Sequence, residues 1–289
     1  MRISTEYKAK AEAFTDVDAC YAALGFSTHP FRITPDIEFL VPHQQYLEAI
    51  GYLRFGLVNG GFTLLTGDVG LGKTLLCRYL LRHLPSQTCT AYIFNPQQSY
   101  TELLSAIIYD LEGGVPDPNA SSAQLHEKLF GVLAKHAARG TWVALVIDEA
   151  HRLQPELLEG LRLLSNLETE KRKLISLLLV GQNELEQTLK SPSMRALRQR
   201  ISAWHRLRPL KWRESVDYIR HRLQVAHSEA FEITGPACLI AHRYAQGVPR
   251  RLNQICDRAL LAAFASYRKE VDARLMHRAA REVVGLALA

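Results

Sequence analysis

The octapeptide Gly67-Asp68-Val69-Gly70-Leu71-Gly72-Lys73-Thr74 constrains this chain more than any other feature of its sequence. It fits G-x-x-x-x-G-K-[ST] at every fixed position, and it lies between an apolar run at 62–66 and a helical pattern at 74–84, the strand–loop–helix setting such a loop needs. Backbone N–H groups of the loop and of the following helix surround phosphates. Lys73 neutralises the β/γ oxygens, and the Thr74 hydroxyl ligates Mg²⁺. A loop that merely turned a strand into a helix would have no need of Lys-Thr. The expected ligands are therefore ATP and Mg²⁺, held by residues 67–74 with Leu75 just inside the helix.

The rest of the chain repeats the alternation. Short apolar runs at 90–94, 142–147, 174–180 and 203–207 are separated by helical patterns at 100–111, 125–138 and 155–167, and 113–122 is a loop by composition. Strands alternating with helices predict an α/β fold with a parallel sheet sandwiched by helices. Beyond 213 the strand pattern stops and four helices follow, at 214–225, 234–244, 249–266 and 271–284. The predicted division is an N-terminal extension (1–23), an α/β nucleotide-binding domain (24–212) and a small all-α lid domain (213–289). With 289 residues, 47% hydrophobic, the chain can bury such a core. No run approaches the roughly 20 apolar residues of a bilayer span, and the first 20 residues lack the apolar region of a secretory signal. Five dispersed cysteines without a CxxC pair predict reduced thiols and a cytoplasmic chain, peripheral at a membrane only through a partner.

The second chemical element is the run from Trp142 through Ile147 to Asp148-Glu149-Ala150-His151. A strand ending in two acids predicts Asp148 near the metal, in its outer shell through water, and Glu149 at the strand tip polarising the attacking water. His151 reads as a solvated residue at a helix start. The letters of 148–151 also spell a helicase box, but no second RecA-like domain follows. The next strand ends in Gln182 and Asn183, either of which could hydrogen-bond the γ-phosphate or the water, although Asn183 could equally be a plain helix-start residue. Two arginine groups remain, 198–200 and 250–251. An arginine reaching the γ-phosphate from a neighbouring subunit makes hydrolysis depend on assembly; for any one of these arginines taken alone, a solvated surface charge is the commoner reading.

This order of motifs resembles an AAA+ ATPase. More narrowly, Gly25-Phe26, Pro30-Phe31 and Thr34-Pro35-Asp36, then Leu65-Thr66-Gly67, Gly72-Lys73-Thr74-Leu75-Leu76-Cys77-Arg78, residues 147–151, Val180-Gly181-Gln182-Asn183-Glu184-Leu185, residues 197–201 and Gly247-Val248-Pro249-Arg250-Arg251-Leu252-Asn253-Gln254 are similar to the ExeA (general secretion pathway protein A) family. Among its members the match is to the short MshM-type MSHA pilus biogenesis ATPases. The resemblance runs over about residues 21–285. It implies that Arg200 is a trans arginine finger and Arg250 the sensor 2 arginine, that the chain forms a homo-oligomer, ring or filament, and that it serves pilus or type II secretion assembly. Asn183 stands where the family has proline, which predicts a looser turn. The membrane helix and wall-binding domain of ExeA itself have no counterpart here, which points to the short pilus-type members.

The net charge of +6, from 35 Lys and Arg against 29 Asp and Glu, allows a polyanionic partner. Eleven cations against eight acids between 214 and 282 leave a surplus of three, so DNA is the alternative partner, as in the TnsC/TniB transposition regulators. Trp204 and Trp212 could stack on bases, but core packing is the expectation for both. A scaffold that binds ATP without hydrolysing it is the third reading, and Glu149 argues against it.

Overall fold

A computed structural model describes residues 17–96, 99–114, 117–168, 173–227 and 231–287. The chain folds into two compact units, one formed by 44–69 and 73–208, the other by 17–43, 70–72 and 209–287. The first helix, α1 (Val17–Ala23), belongs to the second of these.

The unit that begins at residue 44 is built on a five-stranded sheet with strand order β2-β3-β4-β1-β5. Its elements in chain order are α2 (Gln44–Asn59), β1 (Gly61–Thr66), α3 (Lys73–Arg82), β2 (Thr88–Ile93), α4 (Tyr100–Glu112), α5 (Ser122–Ala138), β3 (Trp142–Ile147), α6 (Pro155–Leu164), β4 (Ile175–Gly181), α7 (Asn183–Lys190), the single turn α8 (Arg195–Arg198) and β5 (Ile201–Arg206). Every pairing within this sheet is parallel. The three central strands are apolar along nearly their whole length because both faces are covered: β3 is buried from Val143 to Ile147, and every residue of β4 is buried. One face carries Phe62, Leu64, Leu145, Ile147, Leu177 and Leu179 against helical leucines and isoleucines such as Leu104, Ile107, Leu129 and Leu161. Capping boxes at Ser99–Glu102 and Ser121–Gln124 fix the starts of α4 and α5. The order places the carboxyl ends of β3, β4 and β1 side by side, about 5 Å apart, at the edge where open α/β sheets bind ligands.

The other unit is helical: α1 is joined by α9 (Trp212–Val225), α10 (Gly235–Ala245), α11 (Pro249–Ala265) and α12 (Ala273–Ala287), with a two-residue parallel pairing of β6 (Glu232–Ile233) and β7 (Glu270–Val271). Residues 24–43, which the sequence pattern groups with the α/β domain, pack with these helices instead. The reason is Arg222, only 4% exposed. Its guanidinium donates to the carbonyls of Pro30 at 2.5 Å and Arg32 at 3.0 Å, and it lies over the Phe39 ring. Asp257 on α11 accepts from the Tyr21 hydroxyl and lies 2.6 Å from His29 Nε2. A buried arginine saturated by backbone carbonyls has no pattern that a linear reading detects. Core packing is not what the two tryptophans do: Trp204 is 39% exposed and Trp212 50%. Of the predicted loop at 113–122, residues 115 and 116 lie outside the described residues, as do 1–16 of the N-terminal extension. Among the described residues no helix is long and apolar enough to cross a membrane.

Candidate active site

The phosphate loop follows β1 and delivers Lys73 to the first position of α3. The Lys73 side chain is buried, and its ammonium donates to the carbonyls of Gly67 at 2.7 Å and Asp68 at 2.8 Å. Burial lowers its pKa below the ordinary 10.5, while the carboxylates of Glu149, Asp148 and Asp68 work in the opposite direction. Gly70 has φ +83°, which favours glycine, and a Cβ there would lie 2.9 Å from the Arg250 Cβ. Within the helical unit, which includes Gly70, the Arg250 N–H donates to the Gly70 carbonyl at 3.2 Å. The Gly247 turn that leads into α11 is equally constrained: φ is +73°, and a Cβ would collide with the Leu210 carbonyl.

Asp148 follows β3 almost fully buried. Its Oδ2 accepts from the Thr74 hydroxyl at 2.9 Å and from the Tyr92 hydroxyl at 2.8 Å, and its Oδ1 accepts from the Glu149 N–H at 2.9 Å. Burial, then the Asp148 charge, raises the Tyr92 pKa, so this phenol stays a donor. Thr74 and Asp148 are hard oxygen donors of the kind Mg²⁺ takes. One hydroxyl and one carboxylate are the kind of donor set that suits Mg²⁺ carried with substrate phosphates.

Glu149 adopts a left-handed backbone, φ 54° and ψ 31°, which costs a non-glycine residue about 1 kcal/mol or more. That conformation sets its carboxylate beside His151 and Gln182: Oε2 lies 3.6 Å from His151 Nε2 and 3.5 Å from Gln182 Nε2, which is itself 3.2 Å from His151 Nε2. His151 is therefore not the solvated residue the sequence suggests. Its side chain is 16% exposed, and its Nδ1 is buried without a hydrogen-bond partner among the described residues. Asn183 begins α7, and its amide donates to Asp68 and accepts from Arg206 at 3.3 Å, so the turn predicted to be looser is tied on both sides.

The AAA domain family matches residues 58–189. The chain is 42% identical over 264 residues to General secretion pathway protein A of Aeromonas hydrophila, an alignment that covers 91% of this chain and 48% of that protein. The chain is similar to the ExeA family and carries an AAA domain. It spans about half the length of that relative. The fold is that of Cdc6p from Pyrobaculum aerophilum (TM-score 0.70, 22% identity, 88% of this chain and 70% of that one) and of the Aeropyrum pernix ORC2 protein in its ADPNP–ADP complexes (TM-score 0.68, 18% identity, 86% and 72%). An AAA ATPase fold implies nucleotide binding.

The α/β unit brings together Lys73, Thr74, Asp148, Glu149, Gln182 and Asn183. Arg200 is not among them. It precedes β5, and its carbonyl accepts from Phe62 N–H at the amino end of β1, so it lies at the opposite end of the sheet from the phosphate loop. Among the described residues its guanidinium has no ion pair or hydrogen bond, and its charge adds to Arg162 and Lys173 in holding the Glu159 and Glu168 carboxyls below their ordinary pKa. Sequence reasoning missed Tyr92 and the second partner of Asn183. Both are polar residues near strand ends, and the strand order decides what they meet.

Proposed function

We propose that this chain hydrolyses Mg·ATP at a site completed by a second copy of itself, and couples the cycle to assembly of a cell-envelope machine of MSHA-type pilus or type II secretion kind. Lys73 and the loop N–H groups would hold the phosphates, and Thr74 with Asp148 would hold Mg²⁺, which supplies charge neutralisation at the β/γ oxygens when bound. Glu149, steadied by Gln182 and His151, is the carboxylate that would take the proton of the attacking water. Gln182 and Asn183 remain the two candidates for sensing the γ-phosphate, and Arg250 the candidate for the sensor 2 arginine.

The observation that carries the shared site is the placement of Arg200. Six residues of β1 separate the two ends of the sheet, about 17 Å at strand rise, which exceeds the reach of an arginine side chain. In trans, the same residue can meet the phosphate loop of a neighbour in a head-to-tail array, ring or filament. The envelope role is supported by the likeness to General secretion pathway protein A, and the free, mostly buried cysteines suit a cytoplasmic location with membrane attachment through a partner.

Turnover of ATP per subunit across a dilution series tests the shared site. The rate is expected to fall as the protein is diluted; a rate that stays constant would contradict it. The DNA-regulator reading is favoured by the exposed Trp212 with the neighbouring Arg213 guanidinium 5.0 Å from its ring centre. Fluorescence anisotropy on duplex DNA with an ATP analogue separates the two. Tight binding that weakens steeply with salt would favour DNA, and absence of binding at low salt would remove it.

A further inference from the structure

Asp68, the second residue of the phosphate loop, is one end of a continuous polar chain. Its Oδ1 accepts from the Asn183 amide. The Asn183 carbonyl oxygen accepts from Arg206 at 3.3 Å, and Arg206 Nε lies 3.5 Å from Glu186 Oε1. That same carboxylate oxygen accepts from the Thr66 hydroxyl at 2.7 Å, and Thr66 Oγ1 accepts from the Trp204 indole N–H at 3.0 Å. All six residues belong to the α/β unit.

The chemistry gives the chain a direction. Glu186 is 6% exposed, and a carboxylate so buried requires charged or hydrogen-bonding partners; Arg206 and Thr66 are those partners. Arg206 is itself largely exposed, so Glu186 is what fixes its guanidinium plane. Guanidinium only donates, so the Asn183 group facing it must be the carbonyl, which turns the Asn183 NH₂ toward Asp68. The far end of the chain is an exposed indole on β5, the edge strand of the sheet.

We propose that Arg206 is a positioning residue of the nucleotide site, acting through Asn183 on Asp68, and that Glu186, Thr66 and Trp204 carry the state of the phosphate loop to the exposed edge of β5. The proposal rests on the nucleotide site and not on the assembly role. A shift of Asp68 on phosphate binding changes what the Asn183 amide can hold, which releases or tightens Arg206 against Glu186. The second acceptor bond of Glu186, from Thr66, then alters the hydrogen bond of the indole.

The test uses the full chain with Trp142→Phe and Trp212→Phe, leaving Trp204 as its one tryptophan. Mg·ADP and a non-hydrolysable Mg·ATP analogue are titrated while binding is followed independently by calorimetry. The expected result is a change in Trp204 emission that saturates with the calorimetric isotherm. Arg206→Met is expected to abolish that change and lower kcat roughly tenfold, with KM moving less than about threefold, because the loop is misplaced rather than lost. Arg206→Lys, which pairs with Glu186 but lacks the planar fork, should recover only part of the signal. If Arg206→Met does not fold, the Trp204 titration in the otherwise unchanged chain still decides whether the signal exists. Nucleotide binding with a silent Trp204, or an Arg206→Met chain with unchanged kcat and emission response, overturns the proposal and leaves the ATPase site intact. Absence of calorimetric binding overturns the nucleotide site as well.

Discussion

The two ends of the parallel sheet are built on opposite principles. At the carboxyl end, polar groups are crowded and, His151 Nδ1 apart, hydrogen-bonded to one another: Asp148 takes three hydrogen bonds, Lys73 is held by two carbonyls, and Glu149 is set in a strained backbone beside His151 and Gln182. At the amino end, the Arg200 guanidinium has no hydrogen-bond or ion-pair partner among the described residues. The first end is preorganised within one chain, so its electrostatic work needs little rearrangement when phosphate arrives. The second end offers a cation that acts on Glu159 and Glu168 only at a distance, without a direct ion pair or hydrogen bond among the described residues. That difference is what a site divided between copies requires.

The largest effect expected from breaking this contrast is at the bare end. Arg200→Ala should lower kcat roughly 1000-fold while nucleotide affinity, measured by calorimetry, changes little, the pattern of a group that acts on the transition state alone. Equal activity in the variant would make the two ends independent. Next comes Glu149→Gln, expected to cost on the order of 100-fold in kcat with binding retained, read in single-turnover ATP cleavage. A smaller and pH-dependent effect belongs to Lys73. Its folded pKa lies below 10.5, so in the window between its folded and unfolded values the unfolded chain binds the proton more readily. The stability penalty of burying this charge is therefore present below the folded pKa and is relieved as pH rises through that window. Phosphate affinity moves the other way, falling before pH 10.5 is reached, and Lys73→Arg should flatten that fall. The smallest change is Tyr92→Phe. It removes one of the two hydroxyl donors to Asp148 Oδ2 and should cost about 1 kcal/mol in urea unfolding, leaving the Thr74 contact in place.

What could be read from the sequence divides along similar lines. The loop at 67–74 and the acids 148–149 are contiguous, and their chemistry is tied to fixed spacing, so the phosphate loop and the metal-side carboxylate were legible as candidates. The runs at 142–147 and 174–180 were legible as buried strands because covered parallel strands are apolar at successive positions. The contacts of His151 with Glu149 and Gln182 were not, because they depend on the left-handed turn at Glu149, which no residue preference at that position announces. Tyr92, Glu186 and Arg206 were hidden for another reason: their partners lie 56, 120 and 23 residues away in sequence and meet only through the sheet order. Residues 24–43 lead directly into the α/β domain in sequence, whereas the carbonyls of Pro30 and Arg32 accept from Arg222 about 190 positions later.

Mixing two inactive variants tests the shared site most directly. Glu149→Gln subunits retain Arg200, and Arg200→Ala subunits retain Glu149, so a complete site can form only across an interface between the two. An equal mixture is expected to recover about a quarter of the wild-type rate per subunit, the fraction of correctly ordered neighbours under random head-to-tail pairing. A mixture no more active than the sum of its separate components would contradict the account.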